Sequence, residues 1–250
     1  MEVDGQGQPV TVFAHGLTNS CRELAAFTPM APGTKVRFCF RGHGHSSTPP
    51  PGAYGFVDFA RDLDEVARAY GATRAVGTSL GAGAITNLVA REPDRFRRLV
   101  FLLPAALDVP LGDHRDLDRT ADLLEALPLA EAIEAILADS GRVERYDEAP
   151  WMRDFDVLLW QDINQVGVAR AIREVVRDVA LQDRERLRAV TAPTMIICRE
   201  GDPIHPAGLG RVLADVMPNA ELIVLPGERE LMAAIPHLVG RVSEFLGEAS

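Results

Sequence analysis

The amino-acid sequence predicts an α/β fold: a mostly parallel sheet covered by helices on both faces, interrupted once by an inserted helical segment. Three observations carry this expectation. Short, β-branched or continuously apolar runs alternate with stretches whose apolar residues recur every three or four positions, the pattern of buried strands joined by amphipathic helices. The alternation stops between Asp108 and Arg188, where helical periodicity with charged faces takes over. Finally, the apolar run Ala72 to Val76 ends in Gly77-Thr78-Ser79-Leu80-Gly81, and a helix-forming run begins at Ala82, which puts Ser79 on a sharp strand-to-helix turn.

Taken in order, Val10 to Ala14 is β-branched and apolar and runs into a glycine-containing loop, His15 to Ser20. A second strand, Thr34 to Phe40, is closed by Arg41-Gly42-His43-Gly44-His45-Ser46 and then by Pro49-Pro50-Pro51, which continues neither strand nor helix. Phe56, Phe59, Ala60, Leu63, Val66, Ala67 and Tyr70 mark one face of a helix that Gly71 ends. Arg74 to Val76 and Leu99 to Leu103 read as strands buried on both sides. After the interruption come strand Thr194 to Cys198, a helix near Ala207 to Val216, strand Glu221 to Leu225 and a last helix from about Leu231 to Leu246. The sequence thus divides into a core, 1–107 with 189–250, and a helical cap, 108–188. Within the cap, Leu117 to Ala138 and Val166 to Leu181 are helical runs, and Trp151, Phe155 and Trp160 are candidates to contact a small molecule beneath it.

Composition bounds the function. With 47% hydrophobic and 25% charged residues the chain is ordinary for a globular protein, and a net charge of −10 argues against nucleic acid or an anionic membrane as partner. There is no basic, apolar leader and no apolar stretch long enough to span a bilayer, so a soluble, cytoplasmic protein is the expectation. Three widely spaced cysteines, Cys21, Cys39 and Cys198, predict neither a disulfide framework nor a zinc site, and no metal or cofactor is expected. Cys39 and Cys198 read as buried strand residues. The oligomeric state is not encoded in any of these features.

A serine on such a turn has strained backbone angles, and glycines two before and two after it remove the side chains that would collide as strand and helix close up. Its hydroxyl is left exposed above the sheet with the next backbone N–H aimed at the same space. The sequence resembles the α/β-hydrolase superfamily over nearly its whole length. The resemblance rests on His15-Gly16 after the first strand, the Arg41-Gly42-His43-Gly44-His45-Ser46 turn, the serine turn, the helical insertion, and Gly201-Asp202-Pro203 after a late strand. It implies an α/β-hydrolase fold with Ser79 as nucleophile, Asp202 as triad acid with Asp108 as second candidate, and the backbone N–H groups of Leu17 and Leu80 as oxyanion donors. His15, His43 and His45 are then loop and turn residues. The implied activity is hydrolysis of a small carboxylic ester, thioester or lactone through an acyl-serine intermediate.

Two features depart from the family pattern. Fewer than about ten residues precede the first strand, so the N-terminal edge of the sheet is expected to be short. The histidine that normally follows the last strand is replaced in Pro226-Gly227-Glu228-Arg229-Glu230, where Glu230 stands at its place. Histidine suits proton transfer because its ordinary pKa, about 6.5, lies near working pH, whereas a glutamate at about 4.3 is a weaker base. Glu230 is therefore expected to occupy the base position, His205 to be the first candidate to supply the base instead, and His237 to be a surface or packing residue. A lyase, a cyclase or a ligand-binding protein with an incomplete relay is the alternative.

Overall fold

The computed structural model describes residues 1–138, 146 and 150–248, with the side chain of Phe155 outside the description. Among the described residues, seven strands form one sheet: β1 (Glu2–Asp4), β2 (Val10–Ala14), β3 (Thr34–Phe38), β4 (Arg74–Thr78), β5 (Arg98–Leu102), β6 (Thr194–Arg199) and β7 (Ala220–Leu225). Their order is β1-β3-β2-β4-β5-β6-β7, and every pairing is parallel except β1 with β3. This is the topology of the α/β-hydrolase fold, with the N-terminal edge reduced to a three-residue strand that sequence patterning does not reveal: two of its residues are exposed, so no apolar alternation marks it.

The sheet is buried on both faces, and the strands divide their side chains accordingly. Val12, Ala75, Leu99, Phe101, Ile196 and Cys198 face one layer, with α1 (Phe56–Ala69), α2 (Leu80–Val89) and the helix Ala207–Val216. Phe13, Val76, Val100, Leu102, Met195 and Ile197 face the other, where the C-terminal helix Glu228–Gly247 supplies Leu238, Val242, Phe245 and Leu246. Both periodicities follow from side chains alternating along each strand, and burial on both sides is what makes the strands read as unbroken apolar runs.

Between β5 and β6 lie α3 (Arg115–Ala126), α4 (Leu129–Leu137), α5 (Trp151–Trp160) and α6 (Gln165–Val175). The helical run expected over Leu117 to Ala138 is two helices because Pro128 stands at the N-cap of α4, and the residue before a proline is pushed to an extended conformation; Leu127 has φ −118° and ψ 154°. The two helices that follow β6 are then α7 (Ala207–Val216) and α8 (Glu228–Gly247). Cys198 is buried in β6 as expected, whereas Cys39 lies one residue beyond β3 and is half-buried; Cys21 is buried, and its backbone N–H donates to Cys39 Sγ at 3.3 Å.

The insertion is seated on the core by a contact between two glycines. Gly42, at φ +68° in the turn after β3, meets Gly167 in the first turn of α6 so closely that a Cβ on Gly167 would lie 2.2 Å from the Gly42 carbonyl oxygen. Asn164 caps α6 by accepting the Gly167 N–H at 3.0 Å, and its own amide donates to Thr48 Oγ1 at 2.6 Å. Gly167→Ala must push the two segments apart and is expected to lower the free energy of unfolding by about 1–3 kcal/mol. Urea unfolding of the purified variant checks this, and an unchanged midpoint would rule out the close approach.

Candidate active site

β3 lies on one side of β2 and β4 on the other, so the loops leaving β2 and β4 diverge and open a crevice at the carboxyl end of the sheet. Ser79 stands there between β4 and α2. Its backbone is in a rarely occupied region, φ 49° and ψ −106°, anchored by its own N–H on Leu102 O at 3.0 Å and by its carbonyl, which accepts the Gly83 N–H at 3.0 Å. The flanking glycines are required by space. A Cβ on Gly77 would lie 2.5 Å from the Gly81 carbonyl carbon, and one on Gly81 would lie 2.1 Å from the Ala14 oxygen. Leu80 begins α2, where backbone N–H groups have no intrahelical acceptor.

The Ser79 hydroxyl meets His205: Oγ and Nε2 are 3.0 Å apart, and Nδ1 of the same ring is 3.1 Å from Asp202 Oδ2. Asp202 and His205 share one short loop after β6, and the aspartate builds that loop itself. Its Oδ1 accepts the backbone N–H groups of Ile204 and His205, each at 3.0 Å, which turns the chain so that the ring comes back over Oδ2. Arg199, the last residue of β6, also reaches Oδ2, at 3.0 Å. Burial pushes the Asp202 carboxyl up, but the His205 ring, the His205 backbone N–H and the Arg199 guanidinium outweigh it and hold it down to about 2. An ionised carboxylate only accepts, so Nδ1 carries the proton toward Asp202 and Nε2 is left to accept from the serine.

Glu230 does not join them. It is exposed in the first turn of α8 and does not line the cavity, because the chain after β7 turns straight into that helix. His237 is exposed further along α8, and Asp108 pairs with Arg184 at 2.6 Å, off the cavity lining.

Above Ser79 is a cavity of about 460 Å³. Leu17, Leu80 and Phe56 line it from the core, and Leu111, Leu117, Leu123 and Ile136 line it from the insertion. The aromatic residues expected there behave differently: Trp151 is 59% exposed, Trp160 is packed in the main core, neither lines the cavity, and the Phe155 side chain lies outside the described residues. The reason is positional. The cavity-lining residues of the insertion come from α3, from α4, from the segment ahead of α3 and from the end of α6 at Val175 and Val176, while α5 packs against α4.

The loop after β2 is fixed by buried polar groups. His15 Nδ1 donates to Gly16 O at 2.7 Å while its Nε2 accepts the Phe40 N–H at 3.1 Å, which defines a neutral ring; burial and the neighbouring His43 hold its pKa down to about 3. His43, lowered by burial, lies with Nε2 2.6 Å from Leu17 O. Glu23 lies under the same loop and lines the cavity, and burial pushes its carboxyl up to about 7. Sequence reasoning passed over Glu23, Arg199 and Leu103, which lines the cavity at φ 46°. A carboxylate at the head of the short apolar run Leu24 to Phe27 was the available signal for Glu23. Among the described residues, no group of three His, Cys, Asp or Glu side chains is placed to hold a metal, and no helix is long and apolar enough to cross a membrane.

Residues 12–232 match the model of the alpha/beta hydrolase fold family, and the chain belongs to that family. Among curated proteins it is 27% identical over 245 residues to a non-heme chloroperoxidase of Kitasatospora aureofaciens, covering 93% of this chain and 88% of the relative. It is also 27% identical over 223 residues to a 2-hydroxymuconate semialdehyde hydrolase of Pseudomonas putida, covering 83% and 75%. Among solved structures, a hydrolase from Pseudomonas aeruginosa PA01 superposes with a TM-score of 0.78 at 26% identity, over 99% of this chain and 93% of the other. The enol-lactonase of Burkholderia xenovorans LB400 superposes with a TM-score of 0.80 at 20% identity, over 99% and 95%, a likeness of fold.

The raised Glu23 carboxyl makes stability depend on pH. The folded state keeps the proton to about 7, whereas the unfolded chain releases it near the ordinary 4.5, so the contribution is complete below about 4.5 and lost as pH rises through about 7. Thermal unfolding from about pH 4.5 to about pH 8 should show the wild-type midpoint falling relative to Glu23→Gln, which has no proton to release. Parallel curves for the two proteins would contradict the burial of an ionisable carboxyl.

Proposed function

We propose that this chain is a serine hydrolase acting on a small-molecule carboxylic ester, thioester or lactone, with Ser79 as nucleophile, His205 as general base and acid, and Asp202 as the orienting carboxylate. The observation that carries the proposal is the continuous hydrogen-bond line from Ser79 Oγ through His205 to Asp202 at the floor of the cavity. A hydroxyl is a poor nucleophile until a base takes its proton during attack, and an imidazole held by a carboxylate at one nitrogen presents the other for that task. A relative that is a 2-hydroxymuconate semialdehyde hydrolase and the likeness to a Pseudomonas aeruginosa hydrolase support hydrolysis as the reaction type.

In the proposed cycle Ser79 Oγ attacks the carbonyl carbon and its proton passes to His205 Nε2. The carbonyl oxygen takes the negative charge and is met by the Leu80 N–H at the head of α2 and by the Leu17 N–H across the crevice. Collapse expels the alcohol, thiol or ring oxygen, which takes the proton from His205. Water, deprotonated by the same nitrogen, then cleaves the acyl-Ser79 ester and restores the hydroxyl. The apolar lining from Leu111, Leu117, Leu123 and Ile136 suits an uncharged acyl or leaving group of modest size and excludes water from the carbonyl. Such a protein works on a diffusible small molecule, without nucleic acid or membrane as partner, which matches a net charge of −10 and a cytoplasmic setting.

Steady-state hydrolysis of short p-nitrophenyl esters tests this assignment. Ser79→Ala and His205→Ala should each lower kcat by about 10⁴-fold or more, and Asp202→Asn, which reverses the ring's proton preference, by about 10⁴-fold. Glu230→Ala should leave both constants within about twofold, since its side chain is exposed away from the cavity. Retained turnover in His205→Ala, or its loss in Glu230→Ala, would overturn the assignment.

A further inference from the structure

Glu23 borders the cavity, yet the cycle above gives it no task. It opens the short 3-10 turn Glu23–Phe27, and its side chain folds back under the loop that leaves β2. Oε2 accepts the Gly16 N–H at 2.6 Å and Oε1 accepts the Asn19 side-chain amide at 2.7 Å. The carboxyl lies flat against Gly16: a Cβ there would come 3.2 Å from Oε1. A carboxyl is costly to bury, and one residue of this loop is the most conformationally free type available, so what the carboxyl holds still is the informative point.

The answer lies in the two peptide planes that meet at the Gly16 Cα. The plane before it carries the Gly16 N–H, which Glu23 holds. The plane after it carries the Gly16 carbonyl and the Leu17 N–H, which point in opposite directions because the peptide is trans. His15 Nδ1 and the Asn19 N–H hold the Gly16 carbonyl at 2.7 and 3.2 Å, and the next carbonyl, that of Leu17, is 2.6 Å from His43 Nε2. With these groups occupied, the Leu17 N–H, on the plane that the Gly16 carbonyl anchors, is tied up by no hydrogen bond among the described residues, a freedom it shares with the Thr18 N–H beyond it, and Leu17 borders the same cavity as Ser79. Glu23 therefore fixes one plane directly and, through the Asn19 side chain, steadies the turn that fixes the other.

We propose that Glu23 is a positioning residue for the oxyanion site: its carboxyl locks the peptide planes on either side of Gly16 so that the Leu17 N–H stays aimed at the carbonyl oxygen of the substrate. This rests on the reading of Ser79 as nucleophile. A donor that meets the developing oxyanion acts on the transition state more than on the bound substrate, so its misplacement lowers kcat and leaves KM in place.

The test uses the purified full chain with p-nitrophenyl butyrate as substrate and phenylboronic acid as inhibitor. The boronic acid mimics the tetrahedral intermediate: Ser79 Oγ bonds to boron, the serine proton moves to His205, and a boron-bound oxygen occupies the oxyanion position. Glu23→Ala should lower kcat by about 10²-fold with KM within about twofold. It should weaken inhibition by phenylboronic acid by a similar factor. Glu23→Gln should recover part of the loss, because an amide oxygen can still accept one of the two N–H groups. Asn19→Ala, which keeps the bond to Gly16, should lose less than Glu23→Ala. Variants that raise KM at unchanged kcat, or that bind the boronic acid as the wild type does, would overturn the proposal. Ser79→Ala separates the two levels of the argument: if it retains turnover, the functional reading fails, whereas if it is inactive while both Glu23 variants keep full kcat, only the role of Glu23 is wrong.

Discussion

The structure depends on how closely α2 can approach the central strands. Ser79 is held at φ 49° and ψ −106°, a conformation that costs on the order of 1–3 kcal/mol and persists only where its surroundings over-determine it. Here they do: Gly77, Gly81 and the Ala14 carbonyl crowd together at distances that leave no room for a methyl group, while Leu102 O and the Gly83 N–H hold the serine's own peptide groups. The same contact sets the distance between the β2 and β4 loops. A wider elbow would carry Leu80 and Ser79 away from the loop that bears Leu17, and the crevice would lose one of its two walls.

Around that fixed point, buried polar groups are spent on geometry. His15 is neutral and bridges Gly16 O to the Phe40 N–H, and His43 reaches across to Leu17 O, so the turn after β3 and the loop after β2 act as one unit. On the opposite side of the site, Asp202 uses one carboxylate oxygen to shape its loop and the other to orient His205, a division of labour that brings the carboxylate and the imidazole together within four residues. The insertion completes the enclosure with apolar side chains from α3 and α4 and is itself tied down at Gly42 and Gly167.

The fold was legible because parallel strands buried on both faces read as short apolar runs and the helices between them as three-and-four periodicity; six of the seven strands announce themselves in this way. β1 does not, being Glu2-Val3-Asp4 on an exposed edge. Ser79, with its paired glycines, was legible as a turn with a steric purpose, and Asp202 as a carboxylate in the loop after a late strand. What linear order concealed was the meeting of the parts. Glu230 follows the last strand at the position expected for a base, yet the side chain is exposed there, while His205, three residues from Asp202, is brought back by an Asx turn that spacing alone does not display. Trp151 and Trp160 were misplaced for a related reason: helical periodicity marks an apolar face without saying whether it meets a cavity, a neighbouring helix or solvent. Glu23 carries no motif, and its role depends on hydrogen bonds to a loop seven residues back.

The central claim is that the Ser79 hydroxyl is activated by His205, and the most direct measurement of it is the rate at which a fluorophosphonate modifies the protein, followed by intact mass and located by peptide mapping. The account predicts one adduct per chain, on Ser79, formed rapidly in the wild type and in Glu230→Ala and slowed by orders of magnitude in His205→Ala. Equal labelling rates in the wild type and His205→Ala, or an adduct on any other residue, would contradict it.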